Sequence, residues 1–584
     1  MRRSWPVCVA GAALAALFLA LAPAAQDRVP DNVEQRAMGT RAPAALVESF
    51  DGLGVGFVGP HGTAEGRNPS DNSLAVGPDH IVQTVNSRIA IFTKKGARFQ
   101  TTGRALYGPV PTHTVFAGFG GTCEERNNGD VVVRYDQLAG RWLLVMPIFR
   151  GGAERPDQPP VPSAGPRAIL SVPGRPGQPG APAKLVVPPP APLAAAAQRG
   201  QRAGAPGQRG QGAAGAGQRG RGQTEQPRGP YSMCYAVSAS SDPMGEWYRY
   251  EFLRPLFPDY PRPAVWPDGY YVPTSTGDDV IQKHACVADR NRMLRGEPAS
   301  EQCVIIDGVN FLNNADLDGT VLPPPGAPNI MMAAGGTQLK DVLEDDGVFA
   351  WQFHVDWGDP RNTAVIGPVK IPVAPYRYLC GGQLTNCVPQ PGTDRRLDAQ
   401  GDKIMARLVY RRLGDREAVV AVHSVATAAG GGGVRWYEFD VDPARAITIR
   451  QQGTYAPDGF YRWMASPAID RFGNIGIGYS FGGTPHFAGQ RFAGRLAGDP
   501  PGLLTLAEAV LVEGEAAQTT TLRWEDYAQT AVDPSDDCTI WYVGDYLKKD
   551  AASYSTRIGA FRMPGCDGAP SRPAARPTRP ARVP

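Results

Sequence analysis

A chain of 584 residues with a formal net charge of +3 has too small a charge excess to mark it for nucleic acid or for an anionic membrane surface. Its 70 glycines and 57 prolines exclude a helical protein and suit many short strands joined by turns.

The chain opens with Arg2 and Arg3, an uncharged apolar run from Val7 to Leu21, and the small residues Ala22-Pro23-Ala24. That order predicts a signal peptide over 1–25 and an exported mature chain, periplasmic or extracellular. No later stretch is long and apolar enough to predict a membrane span. Residues 26–66 read as an N-terminal extension. At Ala75-Val76-Gly77-Pro78-Asp79-His80-Ile81-Val82 a pattern begins: a short apolar strand, a tight turn, a returning strand. Ile89-Ala90-Ile91-Phe92 supplies a further strand, and Val131–Asp136 turns into Arg141–Val145.

Residues 151–230 differ in kind. They are mostly Gly, Pro, Ala, Gln and Arg, and Gln-Arg-Gly recurs at 198–200, 208–210 and 218–220. Such a segment predicts a disordered, solvated spacer, with nucleic-acid binding by its Arg-Gly repeats the lesser alternative. Strands predicted at Ser232–Ser238 and Trp247–Phe252 resume directly after it, so it reads as a loop inside one sheet rather than a linker between domains.

The hairpin pattern returns at Ala264–Tyr271, Ala468–Ile477 and Ala531–Tyr542, with weaker copies around Val133 and Ile404. Phe349–Val355 and Val434–Phe439 lie between copies, and Thr556–Phe561 can close the series. A repeat of roughly 60 residues with several strands per repeat predicts an all-β fold, a single β-propeller over 67–566. Six copies imply six blades, or seven if the long interval between Val265 and Ile404 hides one. A pair of β-sandwiches is the rival architecture. The Pro- and Arg-rich tail, 567–584, reads as disordered.

Eight cysteines follow the signal peptide, an even number in an exported chain, and none forms a CxxC pair. Sequential pairing is expected: Cys123 with Cys234, Cys286 with Cys303, Cys380 with Cys387, and Cys538 with Cys566.

Several segments resemble an uncharacterised family of large secreted bacterial β-propeller-like proteins. They are Ala75-Val76-Gly77-Pro78 with Val85-Asn86-Ser87, Gly269-Tyr270-Tyr271, Val388–Gly392, Val434–Tyr437, Tyr461–Met464 and Ala531–Cys538. The resemblance implies an exported propeller-like fold and no particular activity.

Complete catalytic motifs are missing. Gly478-Tyr479-Ser480-Phe481-Gly482 matches the nucleophile elbow G-x-S-x-G, but Gly483-Thr484-Pro485 follows where a helix should start, so a glycine-rich turn is expected instead. Asn314-Ala315-Asp316-Leu317-Asp318-Gly319 begins like a calcium loop, yet Pro325 stands where the bidentate glutamate belongs. An Asp-Gly turn is the simpler reading, and a structural calcium ion is the only cofactor such a loop admits. Seven scattered histidines give no zinc pattern.

The remaining signal is distributed. An acidic residue stands just before the inner strand of most copies: Asp71, Asp130, Asp259, Asp398 and Asp526, the last beside Glu525. The fifth copy has Arg462-Trp463 there, Arg523 precedes Glu525, and Tyr260 follows Asp259. On a ring of blades these positions would gather at one mouth of the central channel. They are then candidates for holding a glycan or peptide ligand in a monomer. Alternatively, Asp259, Glu525 and Asp526 could hydrolyse glycosides, with Arg462 and Arg523 as clamps. A structural surface protein is the third option, and turn capping is the plain account of the aspartates.

Overall fold

The computed structural model describes residues 33–66, 68–149, 169–173, 183–184, 231–254, 256–275, 282–309, 311–335, 347–382, 386–551 and 553–566. The expected signal peptide, most of the expected insert and the expected tail lie outside the described residues. The fold is all-β, with 52% of the chain in strands. The two α-helices among the described residues, Thr122–Glu125 and Arg290–Met293, are single turns.

Among the described residues, seven antiparallel four-stranded meanders hold most of the strands. Their first strands are β1 (Ser73–Val76), β2 (Val132–Asp136), β3 (Ala264–Trp266), β4 (Asn313–Leu317), β5 (Leu408–Leu413), β6 (Tyr461–Ile469) and β7 (Gln529–Val532). Each of these contacts the next in chain order, and β7 contacts β1, so the seven form a closed cycle. Nearly every residue in them is buried, as expected of short apolar strands covered on both faces.

The sequence reading of six copies undercounts. The long interval after Val265 holds an entire meander, β4 with Asn329–Gly335, Gly347–His354 and Ala364–Ile371. Its first strand was hidden because Asn313-Asn314-Ala315-Asp316-Leu317 is polar yet buried: Asp316 accepts from the Val265 N–H and Asn313 donates to the Ile404 carbonyl, both in neighbouring units. The copy expected at Ile404 begins later, at Leu408.

The recurring turn has a physical cause at the far end of these strands. Asp470 accepts backbone N–H bonds from Phe472 and Asn474, Asp533 accepts from Ser535, and Asp136 accepts from Ala139. Each carboxylate substitutes for a turn carbonyl and closes the hairpin.

Large side chains fill the gaps between neighbouring sheets. Trp142 is fully buried, and a Cβ at Gly77 would stand 2.6 Å from its ring. Truncating such a tryptophan costs about 3–5 kcal/mol. The same packing explains Gly478-Tyr479-Ser480-Phe481-Gly482, which lies inside the strand Ile475–Gly483 and forms neither an elbow nor a turn. A Cβ at Gly478 would meet the Tyr542 ring of the adjacent sheet at 2.3 Å.

The chain start completes the assembly. Ala45–Asp51 pairs antiparallel with the strand Ser555–Arg562 and is the fourth strand of the seventh meander. Before it, Glu34–Gln35 pairs parallel with Ile447–Tyr455, and Arg41 bridges to Leu506. Within the expected extension over 26–66, the described stretch 34–51 therefore covers the outer edges of three successive sheets, which removes exposed strand edges. Two described pieces of the expected insert act likewise. Ile169–Pro173 pairs with Ser300–Asp307, and Ala183–Lys184 pairs with Glu246–Arg254.

All four disulfides follow the expected sequential pairing. Four bridges point to an oxidising, non-cytoplasmic environment. No helix among the described residues is long and apolar enough to cross a membrane.

Candidate functional site

Just before most first strands the backbone turns through the left-handed region. Asp71, Asp130, Tyr260, Gln400, Met464 and Asp526 have φ of 49°, 52°, 51°, 47°, 51° and 67°. For a residue with a side chain this costs about 1–2 kcal/mol, and Asp tolerates it best because its carboxylate can bond locally. The recurrence in six of the seven units brings these residues to one end of the ring, its mouth.

There the expected aspartates form a connected system. Asp71 and Asp130 stand close enough for the charge of Asp130 to act on Asp71, and the Tyr527 hydroxyl donates to Asp130 Oδ2 at 3.5 Å. Asn86 Nδ2 donates to Asp71 Oδ2 at 2.5 Å, and the Tyr260 N–H donates to Asp130 Oδ2 at 3.3 Å. Arg523 pairs with Asp526 and reaches Asp398 at 3.5 Å, while the Tyr260 hydroxyl donates to the Asp526 carbonyl at 2.6 Å. Burial, then the charge of Asp130, pushes Asp71 well above the usual carboxylate range. Burial raises Asp130 as well, and lifts Asp398 to about 6.

An aromatic floor underlies the acids. Tyr260 and Tyr527 stack at 4.2 Å, and Tyr260 meets Phe311 at 5.9 Å. Arg262 lies 4.7 Å above the Tyr260 ring, and Lys403 lies 3.9 Å from the Phe311 centroid. Arg262 donates through Nε to the Leu312 carbonyl at 2.7 Å, and Lys403 bonds Gln400 and pairs with Asp402 at 3.4 Å. These rings and cations close the ring beneath the carboxyls. Asp130 and Asp259 remain half-buried, and the Arg523 side chain is 40% exposed at the rim.

Further along the axis the interior is ionic. Arg407 holds Asp316 at 2.7 Å and also pairs with Asp318, and Arg134 reaches Asp316 at 3.2 Å. Burial pulls Arg134 down to about 10. These groups line a cleft of about 320 Å3, part of it open to solvent, toward the other end of the first strands. Asn314–Leu317 belongs to β4 and the expected Asp-Gly turn follows it at Asp318-Gly319, where Gly319 has φ of 82°. Arg407 pairs with the carboxylates of Asp316 and Asp318.

Three expected site residues lie elsewhere. Arg462 is fully buried between Asp458 (2.8 Å) and Glu508 (2.6 Å). Trp463 packs 6.2 Å from Trp524, because a bulge in β6 gives the ring position to Met464. The Glu525 side chain turns away from the mouth to accept from Ser480, Gln490 and the Asp545 N–H. Burial and the Asp545 charge push Glu525 well up, and burial brings Asp545 to about 7. The mouth also includes Asn86, Arg262, Phe311, Gln400, Asp402 and Lys403, which the sequence reading missed. Gln400 alone had a usable signal, its place directly before the fifth unit.

Among the described residues, groups of three or more metal-type ligands within coordinating distance occur only around the bridges Cys286–Cys303 and Cys538–Cys566. The mouth carboxyls do not form such a group.

No family model and no curated protein matches the chain. Solved structures give distant similarity to β-rich carbohydrate-active proteins. NanB with Optactamide is 8% identical with a TM-score of 0.35, the match covering 71% of this chain and 65% of that one. The α-L-arabinofuranosidase from Lactobacillus brevis is 11% identical with a TM-score of 0.26, covering 54% of this chain and 94% of that one. A PL25 ulvan lyase is 10% identical with a TM-score of 0.24, over 88% of this chain and 81% of that one. No family assignment follows from them.

Proposed function

We propose that the chain is an exported, seven-bladed β-propeller that binds a glycan or peptide ligand at the mouth formed by Asp71, Asp130, Asp259, Asp398, Arg523 and Asp526. The closed cycle of seven first strands supports the propeller, with Ala45–Asp51 completing the last blade. Export is supported by the four disulfides and by the sequence of the first 25 residues.

The observation that carries the binding reading is the convergence of carboxyls that lead into separate sheets at one partly open end of the ring. Buried like charges are costly, and turn capping alone would leave each aspartate bonded within its own loop. Hydrolysis is less well supported. A retaining glycosidase keeps two carboxyls free to act on the substrate at about 5 Å, whereas here Asp71 accepts from Asn86, Asp130 from the Tyr260 N–H, and Asp526 is paired with Arg523. The ionic interior confines a ligand to the mouth.

Screening the mature protein against immobilised glycans and peptides tests this reading. The Asp130→Asn/Asp259→Asn variant should lose the binding shown by the parent while keeping its circular dichroism spectrum. Binding that survives both substitutions would place the ligand elsewhere.

A further inference from the structure

We propose that the mouth receives the carboxylate of an acidic sugar, held end-on by the two terminal nitrogens of the Arg262 guanidinium. This inference rests on the binding reading above and names the ligand chemistry within it.

Arg262 is 2% exposed, and neither Nη1 nor Nη2 meets a hydrogen-bond acceptor. Its remaining donor, Nε, is engaged by the Leu312 carbonyl at 2.7 Å. A buried donor left without an acceptor costs about 1–3 kcal/mol, and these two nitrogens carry several N–H groups between them. The Tyr260 and Phe311 rings, 4.7 and 5.5 Å from the guanidinium carbon, meet its charge but do not replace oxygen acceptors. Asp259 and Asp402 act on Arg262 through their charge, yet neither bonds Nη1 or Nη2. Two more buried cations share the same rings: Lys403 lies 3.9 Å from the Phe311 centroid and Lys283 lies 6.0 Å from it. Burial pulls Arg262 below its ordinary range, so its surroundings do not fully replace the lost water.

The unpaired edge of the guanidinium decides the chemistry. With Nε engaged, the open edge is the Nη1–Nη2 edge, whose parallel N–H groups match the two oxygens of a carboxylate. A single hydroxyl or amide oxygen would satisfy only one of them. The acids of the rim do not oppose an anion. Burial holds Asp71 and Asp130 toward their neutral forms, and Asp398 and Asp526 face Arg523. Asp398 favours a sugar as the carrier, because its buried Oδ1 meets no donor. A uronate brings hydroxyl donors beside its carboxylate, whereas the acidic side chains of peptides sit on apolar stems.

Calorimetric titration of the full-length mature protein at low salt tests this with four probes: tetragalacturonate, its full methyl ester, cellotetraose and acetylated tetraglutamate. Tetragalacturonate should bind, and esterification, which removes the charge and keeps the hydroxyls, should weaken it at least about tenfold. Arg262→Gln should weaken it by a similar factor, and Arg262→Lys, which keeps a charge without the fork, should recover only part. Arg295→Gln, on an exposed turn, should leave binding unchanged. Arg262→Lys carries the comparison should Arg262→Gln fail to fold. Equal binding of acid and ester overturns the inference, as does tetragalacturonate binding that neither Arg262 variant weakens. Arg262-dependent binding of tetraglutamate without tetragalacturonate overturns the sugar and makes the ligand a peptide. Cellotetraose binding that the Asp130→Asn/Asp259→Asn variant loses, with no binding of tetragalacturonate, overturns the carboxylate and leaves the mouth reading standing. Absence of tetragalacturonate binding in every titration overturns the inference by itself, and the glycan and peptide screen then decides the mouth reading alone.

Discussion

The backbone N–H of Asp71 donates to the carbonyl oxygen of Glu525 at 2.8 Å, joining the residues that lead into the first and the last strands of the ring. Two aspartates far apart in the chain, Asp71 and Asp526, thereby stand at one mouth. The contact also makes closure of the ring a condition for the site.

Closure depends on the chain start. Removing residues 33–53 takes away the strand Ala45–Asp51 and exposes the edge of Ser555–Arg562. The truncated protein should aggregate on expression, or melt about 10 °C or more below the parent. Differential scanning fluorimetry checks this, and an unchanged melting temperature would refute the closing role.

Stability should fall as pH rises. Burial holds Asp398 at about 6 and Asp545 at about 7 in the folded chain, and raises Asp71 and Glu525 well up. An unfolded Asp titrates near about 4. A carboxyl whose folded value is raised contributes stability that is complete below its unfolded value and lost as pH climbs through the folded one. Urea unfolding at pH 4.5, 6 and 8 should show a decline on the order of 3 kcal/mol across the series. Asp545→Asn should flatten the upper part of that decline, and a rise in stability toward pH 8 would contradict it.

Arg407 neutralises two buried carboxylates, Asp316 and Asp318. Arg407→Met should cost about 3–5 kcal/mol, because it removes the ion pair of buried Asp318 and leaves Asp316 with Arg134 alone. Adding Asp316→Asn and Asp318→Asn to that variant should restore part of the loss. Chemical denaturation of the three variants measures the coupling, and simple additivity would show that the network is not a unit.

Thiol titration of the denatured, unreduced protein should find none of the eight mature cysteines free. Replacing Cys123 and Cys234 together by serine opens the longest loop, with a separation of 111 residues. Loop-closure entropy then predicts a loss of about 4–5 kcal/mol. The Cys380–Cys387 bridge closes a separation of only 7, so its removal should cost less.

Local chemistry was legible in the residue order. Glycine and proline content marked an all-β chain, and the Asp-centred turns marked hairpins, because a turn is settled by a few adjacent residues. The cysteine spacing allowed the correct pairing, since neighbouring cysteines fell on neighbouring strands or loops. The acidic positions Asp71, Asp130, Asp259, Asp398 and Asp526 were visible because each precedes a copy of the repeat, although Tyr260 and Gln400, not Asp259 and Asp398, take the left-handed position that Asp71, Asp130 and Asp526 hold.

Other features needed the ring. β4 escaped notice because its buried Asn313 and Asp316 bond groups outside its own sheet and its Asn314 bonds Asn329 on the neighbouring strand, so hydrophobic pattern could not reveal a buried strand. The direction of each side chain was equally hidden. Glu525 and Asp526 are adjacent and both left-handed, yet one serves the packing around Ser480 and Gln490 and the other faces Arg523. A bulge at Trp463 passed the ring position to Met464 and buried Arg462 against Glu508. Arg262, Lys403 and Phe311 come from separate segments and meet only when the strands close into a cycle. Sequence order determined which residues cap the strands, whereas tertiary closure decided which of them share a mouth, because side-chain direction and long-range contact depend on register between sheets.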